Sequence, residues 1–185
     1  MAVTQEDKEL LALYGHPDTK ERGFTQIVRK YQERLYWHIR RLVIDHEDAN
    51  DVLQNVFIKM WKGLEGFRED ARLYTWLYKI ATNESLSFLE QQKRKSAISL
   101  SDVETGLSNK LQADSHYDAN KIEWKLQKAI LSLPEKQRAV FTLRYYEEMP
   151  YEEMSKVLDT SEGALKASYH HAVKKVEEFL KNNGH

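Results

Sequence analysis

Apolar side chains recur at every third or fourth position along most of this chain, the spacing of one helix face, and no stretch shows a comparable strand alternation. The clearest series is Ala49, Val52, Leu53, Val56, Phe57, Met60 and Trp61. A helix that carries such a stripe is stable only when other helices cover it. The pattern therefore predicts an all-α protein.

The periodic segments fall into two blocks. In the first block, residues 24–35 and 73–80 repeat the spacing on either side of the series at 49–61, and two glycines interrupt it at 63–66. In the second block the spacing resumes at Ile122 and continues to the end of the chain. Each block is therefore predicted to form several helices, with a loop over residues 67–72.

Between the blocks the periodicity fades over residues 96–119, where serine, aspartate, glycine and asparagine are frequent. This connection is longer than the usual link between packed helices, so we interpret it as a flexible linker between two small helical domains. The predicted boundaries are 1–95 for the first domain, 96–119 for the linker and 120–185 for the second domain. The linker carries four acidic side chains and one basic side chain, whereas each domain is nearly neutral.

The composition excludes several classes of protein. The chain has 185 residues and no cysteine, which removes disulfides, thiol catalysis and cysteine-ligated metal sites. Its longest apolar run, from Leu10 to Tyr14, is far shorter than the roughly 20 residues of a membrane span. The N-terminus is acidic where a secretory signal is basic. We therefore expect a cytoplasmic protein that does not insert into membranes and uses no cofactor or structural metal.

The second block ends with two helical patterns around a three-residue turn. A short pattern begins after Pro150 and ends at Leu158, and a longer one follows Ser161, a candidate N-cap. A short helix, a tight turn and a longer helix form the helix-turn-helix that places its second helix in the DNA major groove. The same pattern also fits an ordinary helical hairpin, and this stretch alone does not distinguish the two.

Four segments of the chain resemble the sigma-70 family of bacterial RNA polymerase sigma factors, in particular its compact extracytoplasmic-function group. The run DANDVLQNVFIKMW at 48–61 is similar to the helix of that family that binds core polymerase, and TWLYKIATN at 75–83 is similar to its promoter-melting helix. The runs LPEKQRAVF at 133–141 and EGALK at 162–166 resemble its second DNA-binding domain. Their order along the chain favours the helix-turn-helix over the hairpin.

The resemblance implies that the outer face of the helix at 48–61 binds the clamp helices of the polymerase largest subunit. Carboxylates and amides on this face can pair with arginines of the partner. The residues expected to make these contacts are Asp48, Asp51, Gln54 and Asn55. A solvated polar stripe is the alternative interpretation of the same residues.

Strand melting requires aromatic faces on which unpaired bases stack, with positive charge nearby. The resemblance implies that the loop at 68–72 captures a flipped base of the minus-ten element and that the following helix contacts the adjacent duplex. Because Trp76 shares an apolar face with Leu73 and Leu77, we expect it to pack in the core. The residues expected to meet minus-ten DNA are Arg68, Arg72, Tyr74, Tyr78, Lys79 and Asn83.

In the predicted recognition helix, the outward residues are expected to face the minus-thirty-five element. They are Lys166, Ala167, Ser168, His170, His171 and Lys174. The family usually has arginines on this face, and Ser168 and His171 stand where arginine is common. Neutral histidine cannot make the bidentate guanine contact of arginine, so we expect a different base preference. Adjacent helical residues point about 100° apart, which argues against a metal site at the two histidines.

The sequence thus predicts a sigma factor that binds core RNA polymerase, recognises two promoter elements and helps open the DNA without catalysing a reaction itself. Its expected partners are core RNA polymerase, promoter DNA and an inhibitory anti-sigma factor. The acidic linker is expected to thread the polymerase channel, as in the family. The main alternative is an autonomous helix-turn-helix regulator that binds duplex DNA alone. A purely helical interaction protein leaves the second block unexplained.

Overall fold

The computed structural model describes residues 4–68, 71–96, 105, 106, 108–111 and 122–183. All the regular secondary structure in these residues is helical, which confirms the predicted all-α class. The helices are α1 (Gln5–Gly15), α2 (Lys20–Val43), α3 (His46–Gly63), α4 (Leu73–Ser96), α5 (Ile122–Leu131), α6 (Glu135–Tyr145), α7 (Tyr151–Leu158) and α8 (Glu162–Asn182). Within the described ranges, none of them combines the length and apolarity that a membrane crossing requires.

Side-chain caps set the starts of the two helices that matter most for function. At α3 the Asp45 carboxylate accepts a hydrogen bond from the Asp48 backbone N–H at 3.0 Å. At α8 the Ser161 hydroxyl accepts one from the Ala164 N–H at 3.3 Å, as its candidate role predicts. Each cap satisfies a backbone donor that has no partner within the helix.

The N-terminal half is a bundle of α1 to α4. Its core contains the predicted apolar stripes of α2, α3 and α4, and the fully buried members include Ile27, Leu35, Val56, Met60 and Leu77. The periodicity did not predict α1, which buries only one short apolar edge against α2.

The C-terminal half consists of α5 to α8. The core of this half is built from Ile130, Leu133, Phe141, Ala172 and Val176. Between α7 and α8 the chain turns through residues 159–161, with Asp159 in the left-handed conformation at φ 49°. The short helix, the three-residue turn and the longer helix have the predicted helix-turn-helix form.

The two halves pack directly against each other, which the sequence pattern did not predict. Helix α7 lies on α4, and α6 lies on α2. A single cluster of buried apolar residues runs from Leu73 and Leu77 in the first half to Val140 and Met154 in the second. The guanidinium of Arg138 adds a polar contact, donating at 3.1 Å to the Leu42 carbonyl of α2.

Part of the predicted linker also contacts the bundle. Residues 108–111 are helical, and Leu111 is buried beside Ile44 and Leu131. The acidic residues on which the threading prediction depends lie outside the described residues; they are Asp102, Glu104, Asp114 and Asp118.

Candidate functional site

The outer face of α3 presents most of the predicted polymerase-binding residues to solvent. Asp51, Gln54 and Asn55 are exposed there. Ile58 lies one turn beyond Asn55 and is 53% exposed, so the face combines polar groups with an apolar side chain. Polar groups around an exposed apolar residue are typical of a protein-binding surface.

Asp48, the fourth predicted residue on α3, is already paired within the chain. The Lys110 ammonium donates at 3.1 Å to its carboxylate and lies 3.6 Å from the carboxylate of Asp45. Burial acts to lower the pKa of Lys110, but the bonds and charges of the two aspartates raise it overall. A cation of the linker therefore occupies this end of the predicted polymerase surface.

Tyr78 on α4 is completely buried, so the expectation that its side chain is accessible is wrong for this structure. Its hydroxyl donates at 2.6 Å to the carboxylate of Glu147, which follows α6. Burial and the negative charge of Glu147 raise the pKa of Tyr78. The assignment of Tyr78 to minus-ten DNA stays a prediction, and it requires Glu147 to move away.

Two further contacts join the same face of α4 to the helix-turn-helix. The Thr75 hydroxyl donates to the buried carboxylate of Glu153 on α7, and the Lys79 ammonium donates at 3.1 Å to Asp159 in the turn. Burial acts to raise the pKa of Glu153, but hydrogen bonds from Thr75 and Lys156 lower it overall. Glu153 is therefore a stable carboxylate anchor at neutral pH.

The other predicted minus-ten residues differ in accessibility. Asn83 and Arg68 are exposed, whereas Arg72 and Tyr74 are half-buried. Burial, together with the charge of Glu147, raises the pKa of Tyr74 to about 12. Residues 69 and 70 lie outside the described residues, so only the ends of the predicted capture loop are seen.

Trp76 packs as its position on the apolar face predicts. Its six-membered ring approaches within 3.0 Å of where a Cβ on Gly63 would lie, and its ring centroid is 5.4 Å from that of Phe67. The absence of a side chain at Gly63 lets the indole lie against the end of α3. Trp76 therefore packs the start of α4 against the end of α3.

The outer face of α8 is open to solvent. Its exposed predicted residues are Lys166, Ala167, His170, His171 and Lys174, and Ser168 is partly exposed. Leu165, Ala172 and Val176 point inward and are buried. The helix thus presents two lysines and two histidines to solvent, and their contact with the minus-thirty-five element stays a prediction.

Sequence reasoning missed the acidic residues that hold the two halves together. No role was predicted for Glu147, and Glu153 was interpreted only as a first-turn residue that complements the dipole of α7. Their partners lie about 70 to 80 positions earlier in the chain. No local pattern reports such a pairing; the cluster of glutamates at 147, 148, 152 and 153 is the only signal that could have prompted a search for basic or hydroxyl partners.

Comparison with family models matches two parts of the chain. Residues 27–95 match the model of sigma-70 region 2, which includes α3 and α4. Residues 123–176 match the model of sigma-70 region 4, which includes α7 and most of α8. The two matches lie on either side of the predicted linker.

Characterised proteins similar to this chain include three sigma factors. The RNA polymerase sigma-H factor of Pseudomonas aeruginosa is 30% identical, over 97% of this chain and 96% of that protein. The ECF RNA polymerase sigma-E factor of Haemophilus influenzae is 28% identical, over 97% and 98%. Its counterpart from Escherichia coli is 30% identical, over 80% and 81%.

Two solved structures share the fold. CnrH in complex with the cytosolic domain of CnrY superposes with a TM-score of 0.69 at 22% identity, covering 96% of this chain and 98% of that one. The sigma factor RpoE of Bartonella quintana, crystallised with the anti-sigma factor NepR, gives 0.67 at 20% identity, covering 86% and 98%.

Proposed function

Since this chain belongs to the extracytoplasmic-function group of the sigma-70 family of RNA polymerase sigma factors, we propose that its two halves divide the work of promoter recognition between them. As a sigma factor, it binds core RNA polymerase and directs promoter recognition, DNA opening and transcription initiation. The observation that carries this function is the match to both regions in order along one chain. The exposed polar face of α3 and the helix-turn-helix would supply the surfaces for polymerase and for upstream DNA.

The first half would dock on polymerase through α3. Asp51, Gln54 and Asn55 would offer acceptors and donors to the partner, and the exposed Ile58, one turn beyond Asn55, would offer apolar area. Asp48 would join them after Lys110 has been displaced by a cation of the polymerase.

The same half would capture minus-ten DNA with α4 and the loop before it. Tyr74 and Tyr78 supply aromatic faces, Arg68, Arg72 and Lys79 supply positive charge, and Asn83 supplies an amide. Base–aromatic stacking contributes roughly 1–3 kcal/mol per base, which offsets the few kcal/mol needed to extrude a base from the duplex. The same residues of α4 and its preceding loop would then both open the strands and select the sequence.

The second half would read the minus-thirty-five element with α8. Lys166 and Lys174, both exposed, would contact phosphates, while Ala167, Ser168, His170 and His171 would face the base edges. Without an arginine on this face, the preferred sequence should differ from that of arginine-bearing relatives.

Several finer assignments belong to the same proposal. The domains would extend over residues 1–95 and 120–185, the chain would act in the cytoplasm, and it would catalyse no reaction itself. An anti-sigma factor would regulate it, because the fold is shared with a sigma factor that was crystallised with one.

Pull-down of core RNA polymerase with the purified protein, followed by transcription from a random promoter library, tests the proposed function. The expected result is stable binding and initiation at a shared two-part sequence. Tight binding to duplex DNA without affinity for polymerase would contradict it and favour an autonomous regulator.

A further inference from the structure

The exposed face of α4 continues well beyond the residues predicted to meet minus-ten DNA. Asn83 is the last of those residues, yet α4 runs on to Ser96. Ser87, Glu90 and Arg94 are exposed beyond it. They follow Asn83 by 4, 7 and 11 positions, which is the spacing of one helix face. A single polar stripe therefore leads from the predicted minus-ten residues to the end of the helix.

The fold holds this stripe in one orientation. On the opposite side of the same stretch, Thr82 and Leu89 are buried. The Thr82 hydroxyl lies 2.8 Å from His38 Nε2 in α2, and at the flank Glu84 is paired with Lys59 of α3. These contacts keep α4 from rotating. The stripe is exposed while the C-terminal half is packed against α4, so a ligand can reach it without any rearrangement of the fold.

The stripe ends in a cluster of positive charge formed by Lys93, Arg94 and Lys95. Successive helical residues point about 100° apart, so of these three it is Arg94 that shares the face of Asn83. Its guanidinium donates at 2.6 Å to Glu90, and 75% of its side chain is exposed. An exposed ion pair contributes little to stability, because water solvates both charges when they separate. Arg94 can therefore exchange Glu90 for another anion at little cost.

The composition of the stripe fits the sugar-phosphate backbone of duplex DNA. Proteins contact phosphates through arginine and lysine and through hydroxyls and amides such as those of serine and asparagine. Arg94, Ser87 and Asn83 supply these groups along one line. A stable protein interface has an apolar centre, whereas no large apolar side chain in the described part of α4 is exposed. The stripe therefore favours DNA over an acidic protein.

The direction of α4 places Arg94 upstream of the minus-ten contacts. The loop before α4 is assigned to the captured base and the helix to the adjacent upstream duplex, so later residues of α4 lie further upstream. Arg94 lies about 16 Å beyond Asn83 at about 1.5 Å per residue. Duplex DNA rises about 3.4 Å per base pair, so this length corresponds to about five base pairs. Arg94 thus reaches the spacer between the two promoter elements.

We propose that the second half of α4 binds the backbone of the spacer duplex, with Arg94 as its main phosphate contact and Ser87 as a second one. This proposal rests on the proposed function and adds a surface to it. Phosphate contacts carry no base information, so they strengthen promoter binding without changing the preferred sequence. Glu90 opposes the contact, because its carboxylate competes with the phosphate for Arg94 and repels it.

Binding of the polymerase holoenzyme to its promoter at several salt concentrations tests the contact. Arg94→Gln should weaken binding about three- to tenfold and reduce the slope of log K against log salt by about 0.9, the value for one lost phosphate contact. Glu90→Gln should strengthen binding. Lys95→Gln is the matched control, because it removes the same charge from another face of the same turn, and it should change the affinity by less than about twofold. Equal losses in Arg94→Gln and Lys95→Gln, or no loss in Arg94→Gln, would overturn the proposal.

Neutral methylphosphonate linkages in the DNA locate the phosphate. Placed about five base pairs upstream of the minus-ten element, they should weaken binding of the wild-type holoenzyme and add no further loss in Arg94→Gln, because the partner is already gone. Additive losses would contradict the assignment of Arg94 to this phosphate. Wild-type initiation with undiminished binding by Arg94→Gln overturns the spacer contact alone, whereas failure of the wild-type protein to initiate would overturn the sigma function itself.

Discussion

His38 is a histidine that the fold keeps neutral. It is completely buried in α2, its Nε2 lies 2.8 Å from the Thr82 hydroxyl, and its ring contacts that of Tyr78. Burial, together with the nearby charge of Arg41, lowers its pKa to about 3. In the unfolded chain an ordinary histidine has a pKa near 6.5.

This difference predicts that acid destabilises the protein. Between pH 6.5 and 3 the unfolded state binds a proton that the folded state does not, so the contribution of His38 is complete above pH 6.5 and is lost as the pH falls toward 3. Urea unfolding should show a loss of about 2 kcal/mol between pH 6.5 and 4.5 from this residue. His38→Gln should flatten that slope, whereas His16→Gln, at an exposed position, should leave it unchanged. Equal slopes in both variants would contradict the assignment.

Reversing the charge of Asp51 tests the proposed polymerase-binding surface. Asp51→Arg should weaken binding to core polymerase at least tenfold, because like charges would meet where an ion pair is proposed. The free energy of unfolding should change by no more than about 0.5 kcal/mol, since the residue is exposed. Glu178→Arg makes the same change at an exposed position of α8 and should leave polymerase binding as it is. Titration with core polymerase, followed by fluorescence anisotropy, measures the binding of both variants, and urea unfolding measures their stability.

At the scale of elements, Gly23 allows α1 to lie against α2. A Cβ at this position would lie 2.4 Å from the Tyr14 backbone nitrogen, which cannot yield as a flexible side chain could. We expect Gly23→Ala to lower the free energy of unfolding by about 1–3 kcal/mol. Gly163→Ala in α8 meets no atom within 4 Å and should raise stability by up to about 1 kcal/mol. Chemical denaturation measures the free energy of unfolding of both variants. An unchanged stability of Gly23→Ala would show that the close α1–α2 contact does not depend on this glycine.

The proposed recognition helix α8 can be tested by giving it the arginine that the family resemblance leads us to expect at position 171. His171→Arg should shift the upstream preference toward guanine, and its added positive charge should steepen the dependence of log K on log salt. Selection from a library of upstream sequences at several salt concentrations measures both effects. His16→Arg, which makes the same exchange in the N-terminal half, is the control. Unchanged preference in His171→Arg would remove this helix from base recognition.

Local signals identified most elements but not all. Apolar spacing predicted α3 and α4, and the N-cap position of Ser161 predicted the start of α8, because each depends on residues within a few turns. Apolar spacing did not predict α1. Only Leu10 and Tyr14 of its apolar residues are buried, and two positions are too few to establish a helical period. Its docking depends on Gly23 in another helix, which a local pattern does not register.

For the whole molecule, near-neutral charge predicts weak binding to free DNA. The net charge is −1 with histidine neutral, and the carboxylates of Glu147 and Asp159 pair with Arg34 and Lys79 in this structure. We expect affinity for a duplex with both promoter elements to be no tighter than micromolar without polymerase, and to improve greatly with it. Electrophoretic mobility shift with and without core enzyme measures this. Nanomolar binding by the free protein would point to the autonomous regulator.

The sequence alone determined the all-α class, the helix-turn-helix and the sigma-factor family, because periodicity, caps and short motifs are written in neighbouring residues. It also predicted outward-facing residues on α3 and α8, most of which are exposed in the structure, and their roles in binding stay predictions. Only the tertiary structure decided that the two halves close on each other and that Tyr78 is buried against Glu147, 69 positions away. The physical reason is that a glutamate exposed to water and one that joins two halves look the same in a sequence. Their difference lies in which distant groups the fold brings within hydrogen-bonding distance.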